Sequence, residues 1–68
     1  MRYIFKYPCK VAVATDDGNL AQLKFKCGAV INAKTQTYNF VENQPVWNIE
    51  LDDGTVLVSV PQNAVRHD

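Results

Sequence analysis

The sequence predicts a small all-β antiparallel domain on three observations: apolar residues recur with period two, Asp-Gly turn signals separate the alternating runs, and no segment sustains a helical period. Sixty-eight residues suffice for one domain, taken as 1–68. A domain this size buries only about 60% of the surface its unfolded chain exposes, so modest stability is expected. Nearly half the residues are apolar and seven are aromatic, which excludes a disordered chain. No apolar run approaches a membrane span and the first residues lack a signal-peptide pattern, so a cytoplasmic protein with reduced cysteines is expected.

The opening strand alternates Tyr3, Phe5 and Tyr7 with Arg2, Ile4 and Lys6 and is interrupted at Pro8. Either the three rings face the core, or Ile4 does and the rings stand outside beside Lys6 and Lys10. Next, Cys9, Val11 and Val13 alternate with Lys10, Ala12 and Ala14, and Ala21, Leu23, Phe25 and Cys27 alternate with Gln22, Lys24 and Lys26, giving two half-buried strands. An even loop between them would set Val13 opposite Gln22. A three-residue loop Asp16-Asp17-Gly18, with Gly18 left-handed, instead pairs Val13 with Ala21, Val11 with Leu23 and Cys9 with Phe25. Lys10 and Lys24 then meet on the outer face, with Lys26 one step along it. Like charges directly opposite are mildly destabilising and hint at a negative ligand there.

The middle reads as a bent or hairpin-like excursion, Ala29 to Ala33 and Thr37 to Val41, turning at Lys34-Thr35-Gln36. Glu42-Asn43-Gln44-Pro45 reads as a loop. The closing hairpin is expected to turn on two residues, Asp53-Gly54, in a type I′ turn, pairing Leu51 with Val56, Ile49 with Val58 and Trp47 with Val60. Trp47 is read as a core residue, the other reading being a surface anchor. Pro61 ends the strand.

This hairpin, followed by Val60-Pro61-Gln62-Asn63-Ala64-Val65, resembles the end of SH3-like barrels, where the penultimate strand leads into a proline-containing 3₁₀ turn and a short last strand. The likeness covers residues 46–66 and implies a small five-stranded antiparallel SH3-like barrel with a short 3₁₀ turn near the C-terminus. The opening Ala-Leu-Tyr-Asp-Tyr-type segment and the Trp-Trp pair of signalling SH3 domains are missing, which argues against proline-rich peptide recognition. Small plasmid-borne dihydrofolate reductases of this fold use a Val-Gln-Ile-Tyr strand ahead of a proline. Val56-Leu57-Val58-Ser59-Val60-Pro61 occupies the similar place without the glutamine and tyrosine, which argues against such an oligomeric enzyme.

Candidate chemistry is sparse. A hydrolytic site needs a base beside its nucleophile, and the single histidine, His67, is read as a solvated tail residue. Cys9 and Cys27 read as small apolar residues, although a shifted register would let them pair. The Asp16-Asp17 and Asp52-Asp53 pairs each precede a glycine and are read as turn residues, with no metal or cofactor expected. The net charge is zero, but residues 1–34 carry an excess of four basic side chains and residues 35–68 an excess of four acidic ones. The expected function is a non-enzymatic binding module, an accessory or inhibitory protein of bacterial or phage origin acting on a protein partner, with homo-oligomerisation left open. The alternative is a nucleic-acid binder, its lysines Lys6, Lys10, Lys24 and Lys26 following phosphates while Tyr3 or Tyr7 stacks bases.

Overall fold

The computed structural model describes every residue except Asp16. Seven strands follow one another along the chain: β1 (Arg2–Phe5), β2 (Cys9–Ala14), β3 (Leu20–Phe25), β4 (Val30–Val41), β5 (Gln44–Leu51), β6 (Val56–Pro61) and β7 (Val65–His67), with a 3₁₀ turn at Gln62–Ala64. The all-β expectation and the 3₁₀ turn after Pro61 hold.

The strand count and closure differ from the expected five-stranded barrel. The seven strands pair antiparallel in the order β3-β2-β6-β5-β4-β1-β7, and the sheet stays open. Closure would require β7 to pair with β3, but β7 is only three residues long and its ladder runs along β1. The sheet nevertheless curls over one core. Tyr3 and Phe5 of β1 and Val65 of β7 meet Val11, Val13, Ile31, Ala33, Ile49, Leu57 and Val60, and the Phe5 ring stacks on Phe25 at 4.5 Å.

The first hairpin has the register that side-chain phase predicts. Cys9 faces Phe25, Lys10 faces Lys24, Val11 faces Leu23 and Val13 faces Ala21. The Thr15 amide donates to the Asn19 carbonyl at 2.9 Å, the Gly18 amide donates to the Thr15 carbonyl at 3.0 Å, and Gly18 has φ +83°. The proposed role of Asp16 in this loop lies outside the described residues. Half-burial fails for β3: pairing only with β2, it leaves Ala21 and Leu23 exposed, no strand or turn among the described residues covering them.

The second Asp-Asp-Gly segment closes by the same main-chain pattern, which corrects the two-residue turn. The Leu51 amide donates to Thr55 O at 2.8 Å, Gly54 N–H donates to Leu51 O at 3.0 Å, and Asp53 accepts the Thr55 amide at 2.9 Å. The loop therefore holds three residues, and Ile49 faces Leu57 and Glu50 faces Val56. A bulge then restores Trp47 to Val60. At its centre Ser59 takes φ +58°, and its amide donates to Asn48 Oδ1 at 2.9 Å. The buried residues of β6 are consequently Leu57 and Val60.

The expected turn at Lys34-Thr35-Gln36 is absent; β4 runs through it with a register irregularity between Ala33 and Thr35. The actual turn is Glu42-Asn43, both residues at positive φ (51° and 63°), and Gln44 and Pro45 already belong to β5. These two left-handed residues supply the backbone twist of a type I′ turn, for which asparagine is suited. β4 and β5 thus form a long hairpin that extends beyond the core.

Candidate functional site

The β4–β5 hairpin carries an exposed aromatic face. Residues directly opposite share a face, so Tyr38 with Trp47 and Phe40 with Pro45 form one continuous strip. Trp47 lies opposite the fully buried Val60 and packs half-buried at the margin of the core. Its expected place in the core is thus met in part. Tyr38 meets its ring edge-on at a centroid distance of 6.3 Å. Further out, Tyr38 and Phe40 are 58% and 55% exposed, an apolar area that the hairpin itself has no means of covering.

Pro45 joins this strip to an open groove of about 450 Å³ lined by Gln44, Pro45, Pro61, Gln62 and Asn63. The 3₁₀ turn places Gln62 and Asn63 on one wall, and the two prolines supply rigid apolar surface. Tyr7 is exposed, and its hydroxyl donates to Asn63 Oδ1 at 3.2 Å, which brings one expected binding residue to the groove. Gln62 Nε2 is buried without a hydrogen-bond partner. Unmet donors of this kind carry a desolvation cost that an incoming acceptor relieves.

From Gln36 to Ile49 the only charged side chain is Glu42, at the hairpin tip. Glu50 follows, accepting a hydrogen bond from Thr35 Oγ1 at 3.3 Å. The aromatic surface is thus uncharged except for Glu42 at its tip, and Glu50, paired with Thr35, lies on the opposite face of the hairpin.

The expected basic and tyrosine site is dispersed. Lys10 and Lys24 do stand opposite each other, but Lys26 has left the strand for the turn at 26–29, and exposed Lys6 lies in the bend after β1. Tyr3 is 1% exposed, its ring in the core and against His67 at 4.5 Å, so it offers no face for a base to stack on. Burial also pushes the Tyr3 phenol above its ordinary value. His67, expected in a solvated tail, instead belongs to β7 opposite Tyr3.

Cys9 and Cys27 are both free thiols. The Cys9 thiol contacts Lys10 O and that of Cys27 contacts Lys6 O, and burial raises the Cys9 pKa. Among the described residues, no group of three or more His, Cys, Asp or Glu is placed to hold a metal ion, and no helix is long and apolar enough to cross a membrane.

Tyr38, Phe40, Pro45, Gln62 and Asn63 were not candidates from sequence. The available signal was the alternation of Tyr38 and Phe40 with Thr37, Asn39 and Val41 around a two-residue turn. Treating Glu42 to Pro45 as a loop concealed that Phe40 stands opposite Pro45.

No family model, curated protein or solved structure matches this chain.

Proposed function

We propose that this chain is a non-enzymatic protein-interaction module of SH3-like type whose binding surface is the aromatic strip of the β4–β5 hairpin together with the adjoining groove. In this reading β1, β4, β5, β6 and β7 correspond to the strands of an opened SH3-like barrel, and β2–β3 is a hairpin inserted after the first. The run from β6 through Pro61 and the 3₁₀ turn into β7, with β7 beside β1, supports that correspondence.

The observation that carries the function is the projection of Tyr38 and Phe40, more than half exposed, beside Trp47 and Pro45 on an uncharged surface. Aromatic side chains dominate protein-binding hot spots, and rigid rings lose little entropy on contact. The occupant is an apolar segment of another protein with a basic residue at one end, matched to Glu42 at the hairpin tip. A phosphate backbone would find no cation between Gln36 and Ile49, would meet Glu42 at the tip and would lack the ring of Tyr3, so nucleic acid suits this surface poorly.

The test is capture of the partner at low and high salt by the parent chain, a Tyr38→Ser/Phe40→Ser variant and a Lys10→Glu/Lys24→Glu variant. Binding that resists salt and is lost only with the aromatic variant is the expected result. Loss of binding with the lysine variant and steep salt sensitivity would overturn it and favour nucleic acid.

A further inference from the structure

We propose that β3 is a homodimerisation edge, joining a second copy of this chain about a two-fold axis at Gln22. This proposal is independent of the hairpin site. β3 ends the sheet, pairs only with β2, and runs for six residues without a proline or bulge. Natural edges are ordinarily shortened, charged or covered. The opposite edge follows that rule: β7 has three residues, including Arg66. β3 does the reverse, with Leu20 68% and Leu23 45% exposed and Lys24 its single charge.

The ladder fixes which groups are free. The Thr15 amide donates to the Asn19 carbonyl, so by alternation Ala21, Leu23 and Phe25 direct their amides and carbonyls to β2. The main-chain groups of Leu20, Gln22 and Lys24 therefore point outward from the sheet edge. Antiparallel pairing centred on Gln22 sets Gln22 opposite itself, Leu20 opposite Lys24 of the other copy, and Ala21 opposite Leu23. Every outward amide from Leu20 to Lys24 then gains a partner. Face parity is kept: exposed Leu23 meets Ala21 on the core side, and the aliphatic stem of Lys24 lies along Leu20.

Charge disfavours the register centred on Lys24. With a rise of about 3.4 Å per residue, the two Lys24 side chains lie about 14 Å apart, beyond the screening length in physiological salt. Centring on Lys24 would set them face to face. A symmetric contact of this kind closes on itself and consumes the free edge, so assembly stops at the dimer.

Three measurements under reducing conditions or controlled oxidation test the proposal. Sedimentation equilibrium of the parent chain should show a monomer–dimer equilibrium that shifts with concentration. Gln22→Pro removes an outward amide that the β2 ladder does not use, so circular dichroism should be retained while association weakens about tenfold or more, the lost bond counting twice across the axis. Under mild oxidation, Gln22→Cys should cross-link several-fold more than both Lys24→Cys and the parent, whose own thiols set the baseline. Each of three results would overturn the proposal: a monomeric mass throughout, undiminished association of Gln22→Pro, or equal cross-linking of Gln22→Cys and Lys24→Cys. The first would leave the edge to a strand from a different protein.

Discussion

Replacing Ser59 by glycine should stabilise the protein, although it removes a side chain and adds no contact. Ser59 holds φ +58° at the β6 bulge, a conformation that costs an L-residue about 1–2 kcal/mol. Glycine adopts it freely but loses about 0.5–1 kcal/mol more chain entropy on folding. The difference favours Ser59→Gly by about 0.5–1 kcal/mol. In a domain of this length that corresponds to a rise of about 2–8 °C in Tm. Among the described residues the exposed Ser59 hydroxyl makes no hydrogen bond that would be lost, and the amide remains on Asn48 Oδ1. Asn48→Ala removes that acceptor and should lower stability by about 0.5–1 kcal/mol, because water partly replaces it at an exposed amide. Ser59→Val, a β-branched residue in the left-handed region, should be worse than either. Thermal melts followed by circular dichroism, with urea titrations to check that the m-value is unchanged, provide the assay. A fall in Tm for Ser59→Gly would refute the bulge geometry and return β6 to continuous alternation.

Phe40→Ser should change stability by less than about 0.5 kcal/mol, since the ring packs mainly against solvent, and chemical denaturation checks this. Trp47→Ala should cost about 1.5–3 kcal/mol, below the roughly 3–5 of a fully enclosed aromatic site, because its ring sits at the core margin. Asp17 is held below its ordinary pKa first by the Thr15 hydroxyl and then by the Asn19 amide, and Asp53 by the Thr55 amide and hydroxyl. A lowered folded pKa gives stability that is present above the unfolded value near 3.8 and lost as pH falls through the folded one, so Asp53→Asn should flatten the acid limb of a Tm-against-pH profile. Gly54→Val should lower Tm clearly, since φ is +90° there.

The pairing register of the first hairpin, from Cys9 and Phe25 to Ala14 and Leu20, was legible because its strands alternate without interruption, and phase alone then determines loop parity, whereas Lys26 leaves the strand. The same reasoning failed for the closing hairpin because Ser59 adds a residue that phase counting cannot see. Its two errors cancel at Trp47 and Val60, so the expected pair is right although the turn is wrong. The aspartate-glycine chemistry was the sounder guide, since both Asp-Asp-Gly segments close by the same main-chain hydrogen bonds. Half-burial of β3 and the exposure of Tyr38 and Phe40 were not legible, because local alternation says which residues share a face but not whether anything lies over it. Tyr3 illustrates the same limit: its burial depends on β4 and β7, both distant in sequence.

The position of β1 bears on how fast the molecule assembles. β2–β3, β4–β5 and β5–β6 are hairpins of sequence neighbours, able to form early in microseconds. β1 has no such neighbour: its partners are β4 and β7, the latter at the far end of the chain, where the Asp68 amide donates to Arg2 O at 3.0 Å. That pairing requires closing a loop of nearly the whole polypeptide before any contact offsets the lost entropy, which assigns it to the late side of the folding barrier. Substitutions in β1 and β7 should therefore accelerate unfolding while leaving the refolding rate nearly unchanged, whereas those in the β5–β6 hairpin slow refolding.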